Sequence, residues 1–159
     1  MQIIINGVGG QGVLFLSKIL GKAALNRGEK ILSSETIGMA QRGGSVFSFM
    51  KIGEKYSSPM IIPKDGDILI CLNEKELENG KNYLKLDGKV FVNSSDFFNA
   101  TQVAIKNNNP AMTNIIFLGY IVNFEEFPFK KDEILKVIPE RAVNFFNIGI
   151  EEYNLKNQL

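Results

Sequence analysis

Two glycine-rich segments hold the residues of this chain that are best suited to chemistry. The first, GVGGQG at residues 7–12, follows an apolar run at residues 3–5. Its glycines Gly7, Gly9 and Gly12 have the G-x-G-x-x-G spacing of a strand–turn–helix unit, which needs a tight turn, a close approach of backbone to ligand, and close packing of helix on strand. Amide N–H groups at the start of such a helix favour an anion. The segment therefore predicts an anion-binding turn.

Gly10 and Gln11 complete this first turn, and the side-chain amide of Gln11 could donate to a phosphate or to a partner's backbone. If the ligand were a nicotinamide or flavin dinucleotide, an acid near the end of the second strand would hold its ribose, and Glu35 stands at about that place. The alternative is that the glycines only permit a tight turn and that Glu35 is a solvated acid at a helix start. The spacing alone leaves both interpretations open.

The second segment, residues 34–45, combines three glycines with a cation, an amide and a thioether. An arginine flanked by glycines could hold a carboxylate or phosphate through two hydrogen bonds while the backbone closes in. The alternative is a surface loop with a solvated arginine. We favour a functional loop, because binding sites are commonly carried by loops on rigid scaffolds. Its candidate binding residues are Met39, Gln41, Arg42, Gly43 and Gly44.

Composition excludes several classes of function. The formal net charge is +1 and no basic run is present, which argues against a nucleic-acid partner. The single cysteine, Cys71, excludes an internal disulfide framework and a four-cysteine cluster, and its apolar run at residues 68–72 predicts a buried strand thiol. The chain has no histidine, which removes the commonest general base and metal ligand. We therefore predict no catalytic residue and no metal site.

Targeting signals are also lacking. No apolar run reaches the roughly 20 residues that a membrane helix needs, and the N-terminus has no charged signal-peptide region. These features predict a cytoplasmic protein without a membrane partner. The length of 159 residues predicts one domain over residues 1–159.

Strands and helices alternate along most of the chain. This alternation predicts an α/β fold, with a single Rossmann-like domain, a mostly parallel sheet and helices on both faces. A hairpin-like excursion around residues 45–57 is expected, because Gly53-Glu54 suits a turn. Both glycine segments fall at carboxyl ends of strands, where ligands of such sheets bind. The predicted strands are residues 2–6, 30–33, 45–52, 67–72 and 89–93, and the predicted helices are residues 13–27, 74–84, a buried helix from Pro110, and 131–155 interrupted at Pro139.

The strand at residues 45–52 provides a test for a missing partner. On a regular strand Val46 and Met50 face one side, and Phe47 and Phe49 face the other. Exposure of both sets would imply that a partner normally covers the sheet. Burial of both would favour a self-contained protein.

Together the two segments resemble the gamma-type domain of 2-oxoacid:ferredoxin oxidoreductases, most closely the small (beta) subunit of the indolepyruvate branch. The pyruvate and 2-oxoglutarate branches resemble the first segment but differ in the second. The stretch at residues 96–107 is shorter and more polar than the family pattern. The resemblance covers nearly the whole chain and is carried by residues 7–12, 34–46, 56–63, 67–70, 90–93 and 113–119.

This resemblance implies a subunit and not a complete enzyme. Members of the family decarboxylate a 2-oxo acid on thiamine diphosphate, pass electrons through iron–sulfur clusters to ferredoxin, and transfer the acyl group to coenzyme A. The chain lacks the cysteines for a cluster, and its Asp65-Gly66-Asp67 has the wrong order for a magnesium–diphosphate motif. A large partner subunit is therefore expected to hold thiamine diphosphate, Mg and the iron–sulfur clusters. The two glycine loops would dock that partner and line the approach of coenzyme A.

Three alternatives remain open at this point. The chain could serve the pyruvate branch or that of another 2-oxo acid. It could be a free-standing oxidoreductase that binds a nicotinamide or flavin through the first segment. It could also be an orphan ligand-binding α/β domain without catalysis, which would form a self-contained homo-oligomer.

Overall fold

The computed structural model describes residues 1–37 and 43–158 and divides into two compact units, Met1–Val92 and Asn93–Leu159. The first unit contains the sheet, and the second is built mainly of helices. The expectation of one domain over residues 1–159 stays a prediction.

The described residues of the first unit form a five-stranded mixed sheet in the order β2-β3-β1-β4-β5. β1, β4 and β5 pair in parallel, whereas β3 is antiparallel to both β1 and β2, so β3 alone runs against the other strands of the sheet. The predicted α/β fold with a mostly parallel sheet is confirmed. The elements are β1 (Gln2–Val8), α1 (Val13–Asn26), β2 (Ile31–Ile37), β3 (Ser45–Ile52), β4 (Gly66–Cys71), a 3-10 turn (Glu74–Glu76), α2 (Leu77–Lys81) and β5 (Leu84–Val92).

Helices cover both faces of this sheet, as predicted. On one face Ser17 of α1 accepts a hydrogen bond from Ser48 of β3, with 2.7 Å between the two hydroxyl oxygens. On the other face the backbone of α2 lies so close to Leu69 that a Cβ added at Gly80 would come within 2.6 Å of its side chain. Residues of β1, β3 and β4 therefore have helical cover above and below.

The predicted hairpin is only half right. β3 has the predicted bounds, but residues 53–57 form turns and not a returning strand. The hairpin partner of β3 is the preceding strand β2, and its other edge pairs with β1. Because both edges of β3 are occupied, no edge remains for a strand after residue 53.

β5 is longer than predicted, because the expected turn at Asp87-Gly88 lies inside it. The β4–β5 register shifts between Gly66, which pairs with Leu84, and Ile68, which pairs with Lys89. The predicted turn at Asp87-Gly88 falls in this irregular stretch of β5 and does not end the strand.

The side-chain alternation predicted for β3 is confirmed. Met50 and Val46 are buried on one face; Phe49 is buried in a core cluster on the other, with Phe47 partly buried beside it. This cluster comprises Ile4, Phe49, Ile61, Leu69, Cys71 and Leu84. The test for a missing partner thus favours a sheet that the chain covers by itself.

Cys71 is buried as predicted, and its thiol donates to the backbone oxygen of Asn73 at 3.0 Å. Burial raises the pKa of the thiol to about 11, so almost no thiolate exists near neutrality. A thiol-specific reagent at pH 8 is therefore expected to label no cysteine in the folded protein and one after denaturation. Rapid labelling of the native chain would show that this strand end opens.

The second unit contains α3 (Ala100–Lys106), a 3-10 turn (Pro110–Met112), α4 (Thr113–Ile121), α5 (Lys131–Leu135) and α6 (Glu140–Lys156). The buried helix expected from Pro110 is confirmed as this turn and α4, and the break near Pro139 separates α5 from α6. α3 was not predicted; the side chain of Asn99 caps it by accepting from Gln102 N–H at 3.0 Å.

α4 and α6 touch through two glycines. A Cβ added at Gly119 would lie 2.0 Å from the backbone oxygen of Phe146, and one at Gly149 would lie 2.0 Å from that of Ile116. Residues 114–121 of α4 are all buried. This direct backbone contact fixes the packing of the helical unit.

Candidate functional site

The first glycine segment forms the turn between β1 and α1. Gly10 (φ 95°) and Gly12 (φ 81°) have left-handed backbones, which other residues adopt only under strain. At Gly7 a Cβ would lie 2.9 Å from the side-chain oxygen of Gln11 and 3.1 Å from Leu72. The tight-turn and close-packing roles predicted from the spacing therefore have a geometric basis, and the approach of a ligand to this backbone stays a prediction.

Gln11 closes this turn on itself. Its side-chain oxygen accepts from Val8 N–H at 2.9 Å, and its own N–H donates to the Val8 carbonyl at 3.2 Å. The amide oxygen thus serves the fold, which leaves the Nε2 hydrogens as the part of the side chain that could meet a phosphate or a partner's carbonyl. The predicted donor role of Gln11 is compatible with this arrangement.

The two glycine segments meet at the end of β1. Gly9 N–H donates to the Gly44 carbonyl at 2.9 Å, and a Cβ at Gly9 would lie 3.4 Å from the backbone nitrogen of Gly43. The structure therefore brings Gly7, Gly9, Gly10, Gln11 and Gly12 together with Gly43 and Gly44. Met39, Gln41 and Arg42 lie outside the described residues.

The N-terminus of α1 opens beside this contact. Its N-cap is Gly12, which offers no side-chain acceptor, and its first turn contains no acidic residue. The first amide N–H groups of a helix have no partner within the helix and mark the positive end of its dipole. This end of α1 is therefore suited to an anion such as a phosphate group.

A polar cluster that the sequence analysis missed supports the second segment. Ser45 Oγ donates to Glu76 Oε2 at 2.6 Å, and Asn79 Nδ2 donates to the same oxygen at 2.9 Å. The buried Asn6 donates through Nδ2 to the backbone oxygen of Glu76 at 2.7 Å. The cluster ties the start of β3 and the end of β1 to the 3-10 turn. Only an amide at the end of an apolar strand, Asn6, could have indicated it from sequence.

Replacement of Glu76 tests this cluster. Glu76→Ala leaves Ser45 Oγ and Asn79 Nδ2 without their shared acceptor, which we expect to lower the free energy of unfolding by about 1–3 kcal/mol. Glu74→Ala, an exposed neighbour in the same 3-10 turn, is the matched control and should change it by less than about 0.5 kcal/mol. Urea unfolding followed by circular dichroism measures both free energies of unfolding. Equal stabilities of the two variants would show that the hydrogen bonds to Glu76 do not stabilise the fold.

Glu35 does not lie where a dinucleotide site would need it. In a Rossmann unit the ribose-binding acid follows the strand adjacent to the first strand. Here β3 lies between β1 and β2, and Glu35 is an exposed residue within β2. The geometry gives the nicotinamide or flavin alternative no support.

The described part of the chain holds no group of three or more His, Cys, Asp or Glu side chains that could bind a metal ion. None of its helices is both long and apolar enough to cross a membrane.

Comparison with known proteins identifies the family. The model of the family described as pyruvate ferredoxin/flavodoxin oxidoreductase matches residues 2–148. The chain belongs to this family. The predicted family resemblance is thus confirmed, and with it the chain's place as part of an oxidoreductase.

Known relatives and a solved structure match this chain over most of their own length. Indolepyruvate oxidoreductase subunit IorB of Thermococcus kodakarensis is 30% identical, with 94% of each chain covered. 2-Oxoglutarate synthase subunit KorC of Methanocaldococcus jannaschii is 27% identical over 97% of this chain and 88% of its own. The crystal structure of pyruvate oxidoreductase subunit PORC from Thermotoga maritima has the same fold, with a TM-score of 0.73, 21% identity, and 97% and 95% of the two chains covered.

Proposed function

We propose that this family member is the small subunit of a thiamine-diphosphate-dependent 2-oxoacid:ferredoxin oxidoreductase and that its paired glycine turns line the acyl-transfer site. The observation that carries the proposal is the hydrogen bond of Gly9 N–H to the Gly44 carbonyl beside the start of α1, which has no side-chain cap. Coenzyme A is an anion with several phosphate groups, and the positive end of a helix dipole favours such groups. The turns would hold coenzyme A or dock the large subunit next to it.

The proposed substrate class is aromatic 2-oxo acids such as indolepyruvate, converted to acyl-coenzyme A with reduction of ferredoxin. It is supported by the likeness of residues 38–46 to the indolepyruvate branch and by the 30% identity to the IorB subunit. The 27% identity to a 2-oxoglutarate synthase subunit is nearly as high. Pyruvate and other 2-oxo acids are therefore the second candidates.

The cofactors are proposed to belong to a large partner subunit. The one cysteine of the chain is buried, and the described residues offer no carboxylate cluster for Mg. The side chains present thus do not fit an iron–sulfur cluster or a magnesium–diphosphate group. We place the complex in the cytoplasm, with ferredoxin as the acceptor that the large subunit reduces.

One observation favours a second candidate function, an orphan ligand-binding domain. The chain covers both faces of its own sheet, as a self-contained protein would. An orphan domain would be recovered without a large subunit and without redox activity.

A pull-down of the tagged chain from its own anaerobic cell extract tests these proposals. We expect a large brown iron–sulfur partner and viologen reduction with indolepyruvate and phenylpyruvate that requires coenzyme A. Turnover of pyruvate or 2-oxoglutarate instead would keep the family role and change the branch. Recovery of the bare chain without activity would support the orphan domain.

Arg42→Ala in the captured complex tests the second glycine segment separately. A guanidinium that binds a phosphate group contributes to affinity through charge-assisted hydrogen bonds. Its loss should therefore raise the KM for coenzyme A at least about tenfold. An unchanged KM and kcat would show that this segment does not touch coenzyme A.

A further inference from the structure

β2 forms an open edge of the sheet. Among residues 1–37 and 43–158 it pairs with β3 alone. Gly53 N–H donates to the Lys30 carbonyl at 2.9 Å, so the backbone hydrogen-bonding groups of Lys30 point toward the β3 side. Because backbone bonding alternates along an antiparallel strand, the N–H and C=O groups of Ile31, Ser33 and Glu35 point to the open edge.

This edge lacks the features that usually protect an edge strand. Proteins blunt such edges with lysines, prolines or bulges. The seven residues of β2, ILSSETI, include one charged side chain and no proline, and their register with β3 is regular. At the opposite edge, β5 carries Lys85, Asp87 and Lys89 and a register shift. β2 is therefore the edge suited to pairing with another strand.

A groove runs between this edge and α1. It has a volume of about 380 Å³, with Ile31 and Met50 among its apolar lining and Lys18, Lys22 and Glu35 among its charged lining. None of these three charged residues takes part in an ion pair among the residues that the structure describes. The helix side of the groove is thus cationic, and a strand added at the edge would bring its own side chains toward these lysines.

We propose that the occupant of this edge is β2 of a second copy of the chain, added antiparallel about a two-fold axis at Ser34. In this register Ser33 lies opposite Glu35 of the second copy, and Ser34 lies opposite itself. Directly opposite residues share one face of a sheet, so Glu35 of the second copy lies on the α1 side, toward Lys18 and Lys22. A two-fold axis forms the same contact twice and joins the two sheets into one.

Charge selects both the occupant and the register. Within residues 1–37 and 43–158, the two lysines of the groove and the one carboxylate of β2 on the same face have no ion-pair partner. A two-fold axis at Glu35 would place two carboxylates directly opposite each other, which is destabilising. An axis at Ser34 avoids that repulsion and aligns all seven residues of the strand. The same pairing would draw Leu25, 61% exposed at the groove, toward the interface.

A disulfide test reports this register directly. In this register the two copies of Ser34 would form a pair without backbone hydrogen bonds between them, with their Cα atoms about 4.5 Å apart. Disulfides form at such distances. Ser34→Cys in the full chain should therefore give a disulfide-linked dimer under mild oxidation. Thr36→Cys is the matched control, because its two copies would stand about 14 Å apart. Cys71 is buried and contributes no cross-link.

The two variants have distinct outcomes. We expect at least about tenfold more linked dimer from Ser34→Cys than from Thr36→Cys, since only the first pair lies within disulfide reach. Equal yields or no dimer would overturn the proposal. In the purified complex, the Ser34→Cys chain could instead form a disulfide only with a large subunit. That result would assign this edge to the large subunit and would also overturn the proposal.

Charge reversal tests the groove without any new thiol. Glu35→Lys should weaken the dimer about fivefold or more in sedimentation equilibrium, because lysine would face Lys18 and Lys22. Adding Lys18→Glu and Lys22→Glu should restore it, whereas the exposed control Glu54→Lys should have no effect. A monomeric wild-type chain would overturn the proposal. The result is independent of coenzyme A binding, so failure here leaves the proposed function standing.

Discussion

Gly119→Ala is expected to lower the free energy of unfolding of the helical unit by about 3 kcal/mol. The added methyl carbon would lie 2.0 Å from the backbone oxygen of Phe146, where no rotation of a side chain can relieve the clash. Overpacking of a core usually costs about 1–3 kcal/mol, and backbone contact places this site at the upper end. Alanine's better helix propensity returns less than about 1 kcal/mol. Gly149→Ala meets the backbone of Ile116 in the same way and should behave alike.

Gly21→Ala is the matched control for this prediction. Gly21 also lies inside a helix, but a Cβ there would meet only the end of the Met50 side chain at 3.8 Å. We therefore expect a gain of about 0.5–1 kcal/mol from helix propensity. Thermal and urea unfolding of both variants measure the difference. Equal stabilities of Gly119→Ala and Gly21→Ala would contradict the close helix contact.

Gln11→Glu is expected to raise the KM for coenzyme A at least about tenfold in the assembled complex without unfolding the chain. A carboxylate oxygen can still accept from Val8 N–H, so the turn keeps its hydrogen bond. The new negative charge, however, lies beside the start of α1 and would compete with a bound phosphate. A tenfold effect corresponds to about 1.4 kcal/mol. This substitution separates the fold of the turn from its binding role.

The exposed residue Gln102 provides the control, since Gln102→Glu makes the same change in the first turn of α3. Its KM should equal that of the unmodified complex. Steady-state viologen reduction at varied coenzyme A concentration, with thermal unfolding alongside, gives both quantities. An unchanged KM would show that the first turn does not take part in coenzyme A binding. A loss of stability together with an unchanged KM would show that Gln11 is purely structural.

Local signals predicted much of the fold. The glycines after β1 and the apolar face of α1 are encoded within a few residues, and both elements lie where expected. The buried α4 and the break at Pro139 follow from equally local patterns. The burial of Cys71 followed from its apolar neighbours alone. The spacing of Gly7, Gly9 and Gly12 also indicated the turn that Gln11 closes.

What sequence did not predict depends on pairings between distant residues. The placement of β3 between β1 and β2 removed the expected hairpin and moved Glu35 away from the first strand. The hydrogen bond from Ser45 to Glu76 joins residues 31 positions apart, and no local pattern marks either as a partner. α3 was missed because its polar cap at Asn99 lies in a stretch with little apolar periodicity. Strand order and side-chain contacts of this kind are decided by the packed sheet.

An omission experiment with the purified large subunit that the pull-down identifies tests most directly whether this chain is a required subunit of the oxidoreductase. Coenzyme A-dependent viologen reduction would be measured for the large subunit alone, for this chain alone, and for the two mixed under anaerobic conditions. We expect activity in the mixture, and little or none for either part alone. Full coenzyme A-dependent activity of the large subunit without this chain would contradict this expectation.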